Sequence, residues 1–370
     1  MRFGYLRKVP SKAISKAEVG ELARRAGVDL VGVVPAGPVA DSTLFDSWTE
    51  RGRAAGMAYL TDHRAAVRQD VRRVMPSARS VLVAGVLYNT NEPKTLTDPA
   101  RGWISRYAWG TRDYHDVVRE RLERLASFLQ EALGPFEYRV CVDTAPLLER
   151  SLAKEAGLGW IGKNTCLIHE GKGSWFFLGE LLMAAPVEWF EAAPGPAPDR
   201  CGTCRRCIDA CPTAALVPVE GRWELDAARC ISYWTIEARR VAPEELRAGL
   251  GNHVFGCDIC QDVCPWNGRA PVTEEAGFVP VSVAPSSVAP PLEELAGMTA
   301  EEFRVRFRGT ALWRAKHRGV LRNVALAMGN ARSGRFEGAL RVLAEHEDAG
   351  VGEAARWALT LLGGPADVGR

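Results

Sequence analysis

CGTCRRCIDACP, residues 201–212, spaces four thiols as Cys201-x2-Cys204-x2-Cys207-x3-Cys211 and follows them with Pro212. This is the bacterial run that wraps a cubane iron–sulfur cluster. Three thiolates on one tight loop reach three irons of the same cube, while the fourth cysteine is carried off by a helix and serves another cluster. One run therefore predicts a second, found at Cys257-x2-Cys260-x3-Cys264-Pro265, where Val254 stands in the place of a first cysteine. Cys230, in RCISYW, is the nearby cysteine left to fill that vacancy. The crossover rule assigns Cys201, Cys204, Cys207 and Cys264 to one 4Fe-4S cluster and Cys211, Cys230, Cys257 and Cys260 to the other. Zinc also takes cysteines two residues apart, but four at this spacing, a following proline and a near-repeat downstream argue against it. Neighbouring cysteines this close in sequence do not pair easily as disulfides.

The chain has 370 residues, enough for two or three domains with their own cores. Its 47% hydrophobic and 25% charged content is that of a globular protein and excludes a disordered or membrane-embedded chain. With a net charge of +2, any nucleic-acid surface has to be a local patch. Residues 1–20 carry no apolar signal region and no later run reaches membrane-span length. A cytoplasmic location is expected, where thiolates stay reduced.

Outward from the cysteines, the chain changes character twice. Helices are expected over 16–26 and 39–53, with the strand-length run DLVGVVPA between them. SVLVAGVLY, residues 80–88, is β-branched and apolar, as a strand buried in a sheet is. The loop NTNEPKTLTDPARG follows, then ISRYAWGTRDYHD and an amphipathic helix over 117–133 ended by Gly134-Pro135. EYRVCVDTAP supplies a strand with Asp143 at its end, before a helix that has Pro146 near its first turn and closes at Gly157. WIGKNTCLI and GSWFFLGELLM are further strand-like runs, so 1–188 is expected to be an α/β or α+β catalytic domain. The proline-rich segments APVEWFEAAPGPAPDR and VSVAPSSVAPPLEE bracket a ferredoxin-like cluster module, 189–275. Beyond Glu301 the pattern is helical, and 295–370 predicts a short stack of HEAT-like hairpins of the kind that presents a surface to a large partner.

Several motifs admit plain readings. Gly157-x-Gly159-x-x-Gly162 has the letters of a dinucleotide fingerprint, yet it follows a helix and opens a strand, the reverse of what such a site needs. Its glycines are better explained as a helix cap and a close backbone approach. Asp113-x-His115 begins a cobalt-ligating histidine signature, but Val118 stands where that signature has glycine. Asp143 is either a general acid at a strand end, its proton retained in an apolar site, or a cap for the following helix. Lys163 and Asn164 sit in a glycine-punctuated turn that could meet a cofactor. Cys141 and Cys166 remain after the clusters are filled and are expected to be buried, inert thiols. Arg304, Arg306, Arg308, Arg314, Lys316, His317, Arg318 and Arg322 run without an acid from Phe303 to Arg322, which favours a phosphate-binding stripe over a solvated helix face. Trp103, Tyr107, Trp109 and Tyr114, interleaved with Arg106 and Arg112, could stack on a base or flat cofactor, or fill a core.

Taken together, VDTAPLLERSLAKEAGLGWIGKNTCLI, GSWFFLGELL, the first cysteine run, CISYWTIE and FGCDICQDVCPWN resemble the epoxyqueuosine reductase family over nearly the whole chain. The resemblance implies a cobalamin-binding catalytic domain, a two-cluster module and a helical-repeat tail that binds tRNA. It implies that the epoxide oxygen of epoxyqueuosine is removed at the wobble position of tRNA, the last step in forming queuosine. Two electrons would pass from a low-potential donor through the clusters to a base-off cobalamin, with Asp143 of VDTAP giving the proton. By the same resemblance, cobalamin lies between the first domain and the cluster module, with Arg64, Arg106, Asp143, Lys163, Asn164, Ser174 and Ser232 as contacts. Arg314, Lys316, Arg318 and Arg322 would grip the anticodon stem-loop, the target nucleoside swung out of its stack. A monomer is expected.

The chemistry agrees with this assignment. No side chain supplies low-potential electrons to an unactivated epoxide. The departing oxygen becomes an alkoxide unless it is protonated, and an acid in hydrogen-bond reach speeds such a step by ~10²- to 10⁴-fold. A corrinoid reductive dehalogenase is disfavoured by the basic helical tail and the lack of an export signal. A two-cluster electron-transfer protein would leave the region before the clusters without work.

Overall fold

The computed structural model describes residues 13–91, 98–280 and 286–362. Parts of the expected loop after residue 88 and of the second proline-rich linker, and most of the charged N-terminal segment, lie outside the described residues. The chain forms two compact units that alternate along the sequence. One comprises Met1–Tyr88, Tyr114–Cys204 and Pro265–Pro271; the other comprises Asn89–Asp113, Arg205–Cys264 and Val272–Arg370.

The first unit is built on a four-stranded sheet in the order Leu30–Pro35, Ser80–Leu87, Phe176–Met183, Tyr138–Cys141. Every neighbour pair is antiparallel, so the unit is α+β rather than a parallel α/β sheet. Ser80–Leu87 is buried along its whole length, which accounts for its unbroken apolar sequence. The helix Tyr114–Leu133 buries Val117, Val118, Leu122, Leu125, Ala126, Leu129 and Leu133, a stripe at helical spacing. It begins three residues earlier than expected and bears so closely on Gly179 that an added Cβ would lie 2.9 Å from Val118 and Leu122. Leu152, Ala153 and Ala156 join a core with Val81, Val83, Cys141, Phe176 and Leu182. Because Val83 faces residue 180 and Val81 faces Leu182, residue 180 shares that face of the sheet.

The helix after Asp143 starts only at Glu149, so Pro146 lies in the preceding loop and not in the first turn. Gly157 closes that helix at φ 77°, and Gly159, at φ 151°, would place a Cβ 2.1 Å from the Ile168 carbonyl oxygen. Close approach, not dinucleotide binding, is what these glycines provide. They seat a small hairpin, Trp160–Ile161 with Leu167–Ile168, whose turn carries Lys163 and Asn164.

In the second unit, a parallel pairing joins Trp103–Ile104 to His253–Phe255. A hairpin, Leu216–Val219 with Arg222–Leu225, follows the first cysteine run, and a π-helical turn, Tyr233–Glu237, follows Cys230. The C-terminal helices are Ala300–Phe307, Lys316–Asn330, Glu337–Ala344 and Ala349–Leu362. A capping box between Thr299 and Glu302 starts the first of them. No helix among the described residues is long and apolar enough to cross a membrane.

Gly159→Ala is expected to destabilise the fold by roughly 2–4 kcal/mol in chemical denaturation, since the residue would combine a left-handed backbone with a carbonyl clash. Gly338→Ala, at a helical position with nothing within 4 Å, should instead stabilise by up to about 1 kcal/mol.

Candidate active site

Asp143 follows the edge strand by two residues and holds a left-handed backbone, φ 54°. The N-cap of the next helix is Leu148, which supplies no side-chain cap bond. Asp143 Oδ2 accepts a 2.9 Å hydrogen bond from the Tyr114 hydroxyl and lies 3.2 Å from His115 Nε2. Tyr114 is held by stacking on Phe177, with ring centroids 4.4 Å apart and planes within 6°. The Asp143 side chain is 41% exposed, so its surroundings are not the enclosed apolar site expected from the sequence. It is an aimed, solvent-accessible carboxyl beside a phenol and an imidazole.

Two other carboxyls are less exposed, Glu149 partly buried and Glu180 fully buried. The Asp143 amide donates a 2.8 Å hydrogen bond to Glu149 Oε1. Glu180, in the Phe176–Met183 strand opposite Val83 and Cys141, is fully buried. Among the described residues neither Glu180 oxygen meets a hydrogen-bond donor. The Glu149 carboxyl faces it from the start of the following helix. Burial, and then the neighbouring Asp143 carboxyl, push Glu149 up to about 7. Burial and the Glu149 charge hold Glu180 well above the ordinary carboxylate range. The sequence reading passed over both residues. The available signal was a single acid inside the apolar strand GSWFFLGELLM.

The second unit gathers Cys211, Cys230 and Cys257 near one another. Burial pushes up the Cys230 and Cys257 thiols. Backbone N–H groups of Ser232 and Tyr233 point to Cys230, that of Ile259 to Cys257, and that of Ala215 to Cys211 at 3.3 Å. Clustered thiols ringed by amide donors suit the anionic sulfur of an iron–sulfur cluster, whose bound iron would offset the cost of burying thiolate. None of the ten cysteines is joined in a disulfide. In the first unit, the Lys163 amide and the Trp160 indole approach the Cys201 sulfur, and Lys163 Nζ donates to the carbonyls of Gly202 (2.5 Å) and Cys204 (3.0 Å).

The remaining expected site residues divide by whether their polar groups face solvent. Arg64 is exposed and chelates Asp62. Arg106 is buried over the Trp109 ring, with Nη1 donating to Thr90 and its amide to Asp258. Asn164 and Ser174 are buried, Asn164 accepting from the Cys166 amide and Ser174 bonded to Asn267. Ser232 lends its amide to Cys230. Trp103 and Trp109 are core residues packed edge to face, which removes them from the stacking platform. Cys141 is buried and its thiol is pushed up to about 12 by burial, whereas Cys166 is only half-buried in the hairpin turn, contrary to expectation.

The basic stripe is also thinner than its sequence. Arg322 is buried and donates to the Ala238 carbonyl, so it braces the π-helical turn and is withdrawn from any phosphate. Arg314 pairs with Glu237, Arg306 with Glu294 and Arg304 with Glu301, acids contributed from outside the acid-free run. Arg314, Lys316 and Arg318 remain exposed.

A cysteine set of this kind, on the same chain as an aimed carboxylic acid, defines an iron–sulfur oxidoreductase. The model of the 4Fe-4S double cluster binding domain matches residues 200–267, and that of epoxyqueuosine reductase QueG, DUF1730, matches residues 68–144. The epoxyqueuosine reductase of Xanthomonas campestris pv. campestris is 40% identical over 359 residues, covering 96% of this chain and 98% of its own. That of Synechocystis is 42% identical over 281 residues, covering 75% and 92%. The chain belongs to the epoxyqueuosine reductase family. A crystal structure of an epoxyqueuosine reductase with an epoxyqueuosine-modified tRNA-Tyr stem loop superposes with a TM-score of 0.84 at 29% identity, covering 95% of this chain and 91% of that one. A Bacillus subtilis epoxyqueuosine reductase, captured with an aspartate-bearing catalytic loop swung out of its active site, superposes with a TM-score of 0.80 at 28% identity, with the same coverage.

The Glu149–Glu180 pair makes stability depend on pH. Glu149 keeps a proton in the folded protein up to about pH 7 that the unfolded chain releases near 4.5. Stability from this group is therefore complete below about pH 4.5 and declines as pH rises through about 7. A melting-temperature series across this window should show the decline, and Glu149→Gln should flatten it.

Proposed function

We propose that this protein reduces epoxyqueuosine to queuosine at the wobble position of tRNA, with Asp143 as the proton donor. The arrangement that carries the reading is Asp143 itself, exposed, aimed by Tyr114 and anchored through its amide, on a chain whose cysteines make a two-cluster set. The relatives and the stem-loop complex support the choice of substrate. When bound, two 4Fe-4S clusters and a base-off cobalamin supply the low-potential electrons that no side chain can.

Cys201, Cys204, Cys207 and Cys264 would hold one cluster, and Cys211, Cys230, Cys257 and Cys260 the other. Of the seven candidate cobalamin contacts, Asp143 and Arg64 present solvent-accessible polar groups suited to a polar ligand. Arg106, Lys163, Asn164 and Ser174 use polar atoms on protein partners and would shape the pocket, and Ser232 acts at Cys230. The chain's own work is then to hold a proton at Asp143 Oδ2, within reach of the Tyr114 hydroxyl, and deliver it to the departing oxygen. The functional modules follow as a catalytic domain over 1–188, a cluster module over 189–275 and a HEAT-like tail over 295–370. Arg314, Lys316 and Arg318 on that tail would contact tRNA phosphates. We place the protein in the cytoplasm as a monomer served by a separate low-potential electron donor.

Asp143→Asn should leave binding of the modified stem loop unchanged and lower single-turnover reduction by at least about 100-fold; wild-type turnover would remove the proton-donor role. Cys230→Ser should lower reconstituted iron from about eight to about four atoms per chain. Replacing Arg314, Lys316 and Arg318 by Ala should weaken tRNA binding and reduce the slope of log K against log salt by about two.

A further inference from the structure

The mechanism above leaves Glu149 and Glu180 of the first unit unused, although Glu149 holds the backbone of the proton donor. We propose that Glu149 and Glu180 form a carboxyl pair sharing one proton, which clamps the Asp143 loop through the Asp143 amide and so positions the Asp143 carboxyl for proton delivery. The inference rests on the reading of Asp143 as proton donor and names two positioning residues for it.

Three features of the geometry carry it. First, residues 142–148 form no regular structure, and Asp143 sits there at φ 54°, a backbone that needs an anchor if it is to persist. The 2.8 Å bond from its amide to Glu149 Oε1 is such an anchor, and an ionised acceptor makes it stronger. Second, the Asp143 amide and carboxyl are held from opposite sides, by Glu149 and by Tyr114, so the loop is fixed at both ends of one residue. Third, Glu180 is fully buried in the sheet on the face that the Glu149–Glu155 helix covers. A purely structural position in an apolar strand would be filled by Leu or Val, as its neighbours Leu181 and Leu182 are.

The pair has a definite proton inventory. Above about pH 7, where Glu149 has ionised, Glu180 keeps one proton and donates it to Glu149, and the charge left on Glu149 is directed at the Asp143 amide. With none, two adjacent anions, one of them fully buried, repel and the clamp opens. The charged and titratable groups facing the pair are Asp143 from the loop, Cys141 from the edge strand, Arg150 from the helix and Arg68 from the segment after Asp62. Arg150 is exposed and its Nη1 donates to the Thr165 carbonyl, so it does not neutralise the pair by direct contact. Raising the pH should therefore lower kcat by removing the shared proton, without weakening tRNA binding.

The test uses the full chain reconstituted with its clusters and cobalamin, with two readouts. Hydrogen exchange followed by mass spectrometry reports protection of the peptide spanning 142–148, and steady-state reduction of an epoxyqueuosine stem loop reports kcat and KM. Glu149→Met fills the space without an acceptor. It should exchange that peptide about tenfold faster and lower kcat by about 10- to 100-fold at unchanged KM. Glu149→Gln keeps a carbonyl for the Asp143 amide and should recover the protection and most of kcat. In Glu180→Gln, whose amide cannot lose the proton, the alkaline fall in kcat should move to higher pH. Wild-type exchange and kcat in the Met variant, or an alkaline limb unmoved in Glu180→Gln, would overturn the clamp. If the wild type fails to reduce the stem loop while exchange follows the predicted pattern, the functional reading falls and the clamp stands.

Discussion

A carboxyl in the middle of an apolar sheet is costly, because an unpaired buried anion is destabilising by several kcal/mol even after the protein relaxes. Glu180 occupies such a place, between Val83 and Cys141, with its whole side chain out of water. The structure meets the cost by keeping the proton on the pair and by turning the remaining charge toward a backbone amide. That amide belongs to Asp143, so the way the sheet accommodates Glu180 and the way the loop presents Asp143 are one arrangement. The helix beginning at Glu149 contributes the second acid and, through Leu152, Ala153 and Ala156, the apolar cover that keeps water away.

The opposite face of the sheet supplies the other half of the site. Gly179 lets the Tyr114–Leu133 helix lie close enough for Val118 and Leu122 to pack on the strand, and the start of that helix puts Tyr114 flat on Phe177. Tyr114 then meets Asp143 with its hydroxyl. Asp143 is thus gripped by groups that belong to both faces of one sheet. In the second unit a comparable economy governs the thiols. Cys211, Cys230 and Cys257 are surrounded by backbone N–H groups from the residues just after them, and Arg322 and Asn323 secure the carbonyls of the intervening π-helical turn.

Much of this was legible before any coordinates. The strand Ser80–Leu87 and the helix Lys16–Ala26 were visible because local pattern decides them, and the double-cluster domain because cysteine spacing on a loop is a local constraint. Asp143 could be singled out, but its environment could not, since Tyr114 and Glu180 come from distant segments and Glu149 sits one loop further on. An acid in a strand-like run shows in the sequence as a break in apolarity, and nothing local says that a second acid will face it. Arg322 illustrates the opposite error. In sequence it extends a basic stripe, while in the fold the helix turns it inward, and acids from other segments pair with part of what remains. Net charge along a run does not report which side of the helix each residue occupies.

The most direct test of the account is chemical. Protein reconstituted with iron, sulfide and cobalamin is incubated with a reductant and tRNA carrying epoxyqueuosine, and the digested nucleoside is identified by mass. The account predicts a product one oxygen lighter, queuosine, formed by the wild type and not by Asp143→Asn. Unchanged epoxyqueuosine with fully loaded wild-type protein, or equal product from both, would contradict it.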